Sequence, residues 1–116
     1  LAGGAAAAQV GTALLLSDEA GTSAVHRAAL RDNQFTDTVV TRAFSGRYAR
    51  SLVNRFTAAF SDAAPPGYPQ VNQITAPIRA ASLVAGDPHA ISLWAGTAWR
   101  AISTGPAAAI VSAFAG

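Results

Sequence analysis

Hydrophobic and polar positions fall along this chain in blocks of different period. The first block, LAGGAAAAQVGTALLL from Leu1 to Leu16, is almost wholly apolar, and Ser17, Asp18 and Glu19 close it. A short apolar run bounded by Gly4 and Ser17 is the pattern of a strand buried on both faces of a parallel sheet. The expectation is a last helical turn and its connection over residues 1–8, then a strand over AQVGTALLL, residues 8–16. Side chains alternate along a strand, which would put Gln9 and Gly11 on one face and Val10 and Thr12 on the other. Two membrane readings of the same block are weaker: a signal peptide needs a positively charged start, and none of the first sixteen residues is charged. A spanning helix needs about 20 apolar residues, whereas Gln9, Gly11 and Thr12 interrupt this run.

Helical period follows. Thr22 or Ser23 can cap a helix over AVHRAALRD, with Val25, Ala28 and Ala29 inward and His26, Arg27 and Arg31 outward. DTVVTRAF, Asp37 to Phe44, is rich in β-branched residues and reads as a strand or extended segment, and SGR, Ser45 to Arg47, as a turn. ARSLVNRFTAAF then places Leu52, Val53, Phe56, Ala59 and Phe60 on one stripe of an amphipathic helix. AAPPGYPQ, Ala63 to Gln70, is a proline-rich connection. Thr75 is the expected cap of a next helix with Pro77 in its first turn and Gly86, Asp87 and Pro88 at its end. In ISLWAGTAWRAI, Ile91, Leu93 and Ala95 alternate with Ser92 and Trp94, as in a strand or an irregular apolar loop. Thr104, Gly105 and Pro106 open a last helix with Ile110, Val111 and Phe114 as its stripe.

Composition changes this picture in three ways. The 116 residues suffice for one small domain, but alanine supplies much of the 51% hydrophobic content and buries little area, so a free-standing fold would be marginal. There is no cysteine, which excludes disulfides and thiolate metal sites, and two histidines alone cannot complete a zinc site. There is no methionine either, so a piece of a longer chain is expected.

Candidate chemistry is sparse. Gly11 lets a ligand group approach the main chain, where the amide of Thr12 can donate to it; a bulge or tight packing is the alternative reason for a glycine there. His26 reads as a surface residue and His89, beside a proline, as a loop residue. Arg42, Arg47, Arg50 and Arg55 interleave with Phe44, Tyr48 and Phe56, a pattern to inspect for single-stranded nucleic acid. The aromatic positions fall where core packing explains them, and a net charge of +2 lacks a concentrated basic face. No nucleic-acid or membrane partner is expected, and the arginines are expected to pair with carboxylates or line an interface.

Four stretches in order, AQVGTALLLSDEAGTSAVHRAALRD, TVVTRAFSGRYARSLVNRF, YPQVNQITAPIRAA and LWAG, carry a family resemblance. The chain resembles the C-terminal third of nitronate monooxygenases, formerly 2-nitropropane dioxygenases, over nearly all its length. The resemblance implies an α/β fold, the C-terminal fragment of an FMN-dependent (β/α)8 TIM barrel with a small inserted α/β region. Residues 1–16 would be the end of a barrel helix and the last barrel strand, 17–103 the insertion and 104–116 the closing helix. The family's FMN-phosphate motif carries over to Gln9, Val10, Gly11 and Thr12, in keeping with phosphate sites after the last strands of such barrels. The implied reaction oxidises an alkyl nitronate with O2 to a carbonyl compound and nitrite. The family's catalytic histidine matches neither His26 nor His89, so no catalytic residue is expected in this chain, nor activity from the piece alone.

Tyr48 stands where relatives have proline, Ala7 and Ala8 where they have Gly and Val, and Thr97 where glutamine follows LWAG. A related FMN-dependent enoyl-acyl-carrier-protein reductase shares the phosphate strand and is the nearest rival. A small non-enzymatic interaction domain is the rival of another class. The expected place of the enzyme is the cytoplasm.

Overall fold

The computed structural model describes residues 2–115. Helix α1 spans Ala24–Ala29, strands β1 and β2 span Thr38–Thr41 and Ala49–Leu52, and helices α2, α3 and α4 span Arg55–Phe60, Gln70–Val84 and Ala107–Ala115. Short 3-10 turns lie at Thr12–Leu14, Pro88–Ala90 and Trp99–Ala101.

The strand expected over residues 8–16 is not formed. A parallel strand is held by hydrogen bonds to its neighbours, and among the described residues no strand runs beside Ala8 to Val10; the chain then winds into the turn at Thr12–Leu14. The helical turn expected over residues 1–8 is likewise absent from residues 2–8, and Leu1 lies outside the described residues. Helix α4 forms as expected, but of its expected stripe only Ile110 is buried, while Val111 and Phe114 are exposed; Gly116 lies outside the described residues.

Ser23 caps α1 as expected, its Oγ accepting from the His26 amide at 3.2 Å. β1 and β2 form an antiparallel pair with Thr38 opposite Leu52 and Thr41 opposite Ala49, joined through the turn at Gly46. Gly46 has φ +86, and a β-carbon there would lie 2.6 Å from the Gly67 carbonyl carbon, so only glycine lets this turn sit against the proline-rich connection.

ARSLVNRFTAAF is not one helix. Asn54 splits it into β2 and α2, because its side chain accepts from the Thr57 amide while Thr57 Oγ1 accepts from the Asn54 amide, a reciprocal capping box. α3 starts five residues before Thr75, so Pro77 sits inside it and Thr75 is a buried mid-helix residue donating to the Phe44 carbonyl.

The core gathers Leu16, Leu30, Phe35, Leu52, Ile91 and Leu93 around α1 and the extended segment after Pro88–Ala90. Ile91, Leu93 and Ala95 point inward in the expected alternation, and the segment pairs with β2 through a single bridge between Ser51 and Trp94. Phe44 stacks on Phe56 at 4.7 Å and meets the edge of Trp94, closing the opposite side of the two strands.

Candidate ligand cavity

The segment from Gln9 to Ala13 forms one wall of an open cavity of about 630 Å3. Gly96, Thr97 and Ala98 form a second wall, and Ile110 and Phe114 of α4 a third. All four residues singled out in the sequence, the contiguous Gln9, Val10, Gly11 and Thr12, line this cavity. The structure adds Thr97, whose departure from the family pattern is visible in the sequence but whose place on the wall of this cavity is not.

Gly11 has φ −56 and ψ −51, ordinary right-handed backbone that any residue adopts. A β-carbon there would meet no protein atom within 4 Å. Neither a special backbone conformation nor tight packing therefore requires glycine at this position, where a side chain would meet open space at the edge of the cavity. After Gly11 the chain turns, with the Leu14 amide donating to the Gly11 carbonyl at 3.2 Å. The first amides of such a turn have no partner within it and are free to meet an acceptor.

The two walls are tied directly. The Gly96 amide donates to Thr12 Oγ1 at 2.9 Å, across 84 residues of sequence. No local pattern signals such a contact; the only hint is that both ends lie in stretches that carry the family resemblance.

Behind the turn, Arg27 is half-buried rather than outward-facing, and its guanidinium donates to the carbonyls of Leu15, Leu16 and Ser17 at 3.3, 3.0 and 3.0 Å. Glu19 accepts from the Ala107 amide at 2.8 Å, anchoring the start of α4 to the same segment.

None of the residues lining the cavity carries a charge, so it offers dipoles and hydroxyls but no group that transfers a proton near neutral pH. His26 is a correction to the sequence reading: it is a buried residue of α1, where desolvation pushes its pKa below 6.5, a backbone hydrogen bond with Trp94 pulling the other way. His89 packs against the Phe35 ring at 5.8 Å. Neither histidine lines the cavity.

The arginines are engaged locally. Arg55 pairs with Asp87 at 3.1 Å, Arg42 donates to the Ala64 carbonyl at 2.6 Å and lies over Tyr48, and Arg47 lies 4.0 Å over the Tyr68 ring. Arg50 donates to Thr38. Among the described residues no three His, Cys, Asp or Glu side chains could hold a metal ion, and no helix is long and apolar enough to cross a membrane.

Fold and site together define an α/β region that presents an uncharged, glycine-edged cavity. Comparison with known proteins gives this region its family. The family model described as Nitronate monooxygenase matches residues 1–115. A "Probable nitronate monooxygenase" of Staphylococcus aureus (strain Newman) is 40% identical over 111 residues, covering 94% of this chain and 31% of that protein. Its counterpart in strain MSSA476 is 41% identical over the same length. The crystal structure of nitroalkane oxidase from Streptomyces ansochromogenes superposes with a TM-score of 0.93 at 47% identity, covering 98% of this chain and 33% of that one. The chain belongs to the nitronate monooxygenase family and spans about a third of the length of these relatives.

Proposed function

We propose that this chain is the C-terminal part of an FMN-dependent nitronate monooxygenase, which oxidises alkyl nitronates with O2 to carbonyl compounds and nitrite. In that reading residues 1–16 complete a (β/α)8 barrel, and neighbouring barrel strands supply the hydrogen bonds that Ala8 to Val10 lack here. Residues 17–103 are an insertion and 104–116 the closing helix.

The observation that carries the reading is Gly11, a glycine that neither backbone conformation nor packing requires, on the wall of a cavity. The residues present fit the phosphate end of FMN. The space beside Gly11 admits a bulky oxyanion, and the amides of Thr12 and Ala13, which precede the first internally bonded amide of the turn at Leu14, are donors suited to an acceptor-only group. Gln9, Val10, Gly11 and Thr12 would hold that end. When bound, FMN supplies the redox chemistry, taking electrons from the nitronate and delivering them to O2.

The chain's own share is to bind and orient. With no proton-transfer group lining the cavity and both histidines elsewhere, the base that neutral nitroalkanes require is contributed from outside this chain. A nitronate, already deprotonated, needs no such base.

The test is turnover by the full-length gene product of propyl nitronate with O2, set against an enoyl thioester with NADH. Consumption of the nitronate with release of nitrite is expected. Turnover of the thioester alone would overturn the reading in favour of the related enoyl reductase.

A further inference from the structure

Helix α3 carries its polarity the wrong way round for the surface of a single chain. The stripe it turns inward is polar: Thr75 and Ser82 are buried and donate to the Phe44 and Asp87 carbonyls, and Arg79 folds back to donate to Asn72 Oδ1 at 2.8 Å and to Thr75 Oγ1 at 3.2 Å. The face it turns to solvent is apolar, with Ile74 72%, Ile78 47% and Val84 91% exposed and Pro77 and Ala81 among them. Arg79 is the helix's one charged residue and is spent inward, which leaves the outer face uncharged. A surface helix ordinarily shows the reverse, apolar inward and charged outward, whereas depletion of charge marks the core of an interface.

We propose that α3 is the seam of a homodimer, in which two copies of this chain pair their α3 helices antiparallel across a two-fold axis near Pro77 and Ile78. The face is complementary to itself in that arrangement. Ile74 of each copy meets Ala81 of the other, a large side chain over a small one, and Val84 meets Val71, each contact arising twice because the interface is isologous. An uncharged face gives an acidic or basic partner, or an anionic membrane surface, nothing to pair with, while a second copy brings the same uncharged surface. A helix of this length is about 22 Å long, so its face alone falls short of the about 800 Å2 a side of a standard interface. The apolar surface continues past Ala80 into a groove of about 320 Å3 walled by Ala76, Leu83 and Ile91, which extends the seam. No α3 residue lines the cavity at Gly11, and the helix packs instead on the turn at Pro88–Ala90, so the dimer stands apart from the flavin assignment.

Sedimentation velocity of the full-length protein over a range of concentrations tests the seam. The parent is expected at the mass of two chains. Ile74→Glu is expected at the mass of one, its dissociation constant raised at least about a hundredfold by a carboxylate set into an apolar contact. Ile74 is largely exposed in the single chain, so the substitution spares the fold. Adding Ala81→Lys to Ile74→Glu brings an ammonium of one copy against the carboxylate of the other only in the antiparallel register, and is expected to recover at least about tenfold of the lost affinity.

A monomeric parent overturns the proposal, whether the remainder of the same chain or another protein covers α3. An assembly that Ile74→Glu leaves intact overturns it in favour of a different face, and a double variant no tighter than Ile74→Glu overturns the antiparallel pairing. Should Ile74→Glu not fold, hydrogen exchange of the parent decides. Protection of the α3 amides is expected to rise with protein concentration, because association stabilises the paired helix, and exchange independent of concentration overturns the seam.

Discussion

Arg27 Nη2 donates to the Leu16 carbonyl at 3.0 Å, and its Nη1 donates to the carbonyls on either side, so one guanidinium gathers three consecutive peptide groups of the segment that follows Gly11. Arg27→Met keeps the aliphatic stem and removes all three bonds. It is expected to cost about 2 kcal/mol, the range for hydrogen bonds to a charged group, read as a lower denaturant midpoint at unchanged slope. Arg27→Lys is expected to recover less than half, because an ammonium does not reproduce the planar fork.

Gly11→Ala separates fold from binding. The right-handed backbone and the empty space at its β-carbon predict that stability without ligand is unchanged or rises by about 0.5 kcal/mol. FMN affinity of the full-length protein is expected to fall, since the methyl group takes ligand space. Thermal unfolding of the apoprotein and a flavin titration read the two effects; lower stability with intact affinity would assign the glycine to the fold instead.

Asn54 is buried and fully engaged, accepting from the Thr57 amide and donating to the carbonyls of Pro88 and Ile91 at 2.9 Å each. Asn54→Ala leaves those carbonyls and the start of α2 without partners at once, and a loss of about 3 kcal/mol is expected. Asn54→Asp keeps the cap but sets a carboxylate against two carbonyls, so it is expected to be no better than alanine. Chemical denaturation of the three proteins checks the order.

His26 predicts a pH dependence with a definite sign. Burial lowers its folded pKa beneath the ordinary 6.5, so in mildly acid solution the unfolded chain binds the proton more readily than the folded one. Its contribution is complete above about pH 6.5 and is lost as pH falls from there toward the lowered value. The melting temperature is expected to drop between pH 7 and pH 5, and His26→Phe is expected to flatten that part of the profile. An identical slope in the variant would show that other groups set it.

Where one short-range cause decided the structure, the sequence showed it. Ser23 stops the chain and starts α1, and the alternation of Ile91, Leu93 and Ala95 survives in a segment with almost no strand pairing. Where two periods overlap, it misled: Leu52, Val53, Phe56 and Phe60 fit a helical stripe, yet the first belongs to a strand and the last two to a helix, and Asn54 with Thr57 three residues on was the sign of the break. His26 lay on the polar side of an imagined isolated helix, but α1 is short and its flank is covered. At the site, Gln9 to Thr12 stood out because glycine and glutamine interrupt an apolar run. The wall facing them, Gly96 and Thr97, came from a distant segment that only folding brings near.

Ser17 bridges to Gly105, and Glu19 reaches the Ala107 amide, so the chain sets out toward α1 and comes back to α4 at nearly the same point. Everything between is a detour with adjoining ends. Such a detour can be lengthened, shortened or exchanged during evolution without displacing what lies before and after it, and a graft of residues 20–104 between other structures would need only two attachment points a few ångströms apart.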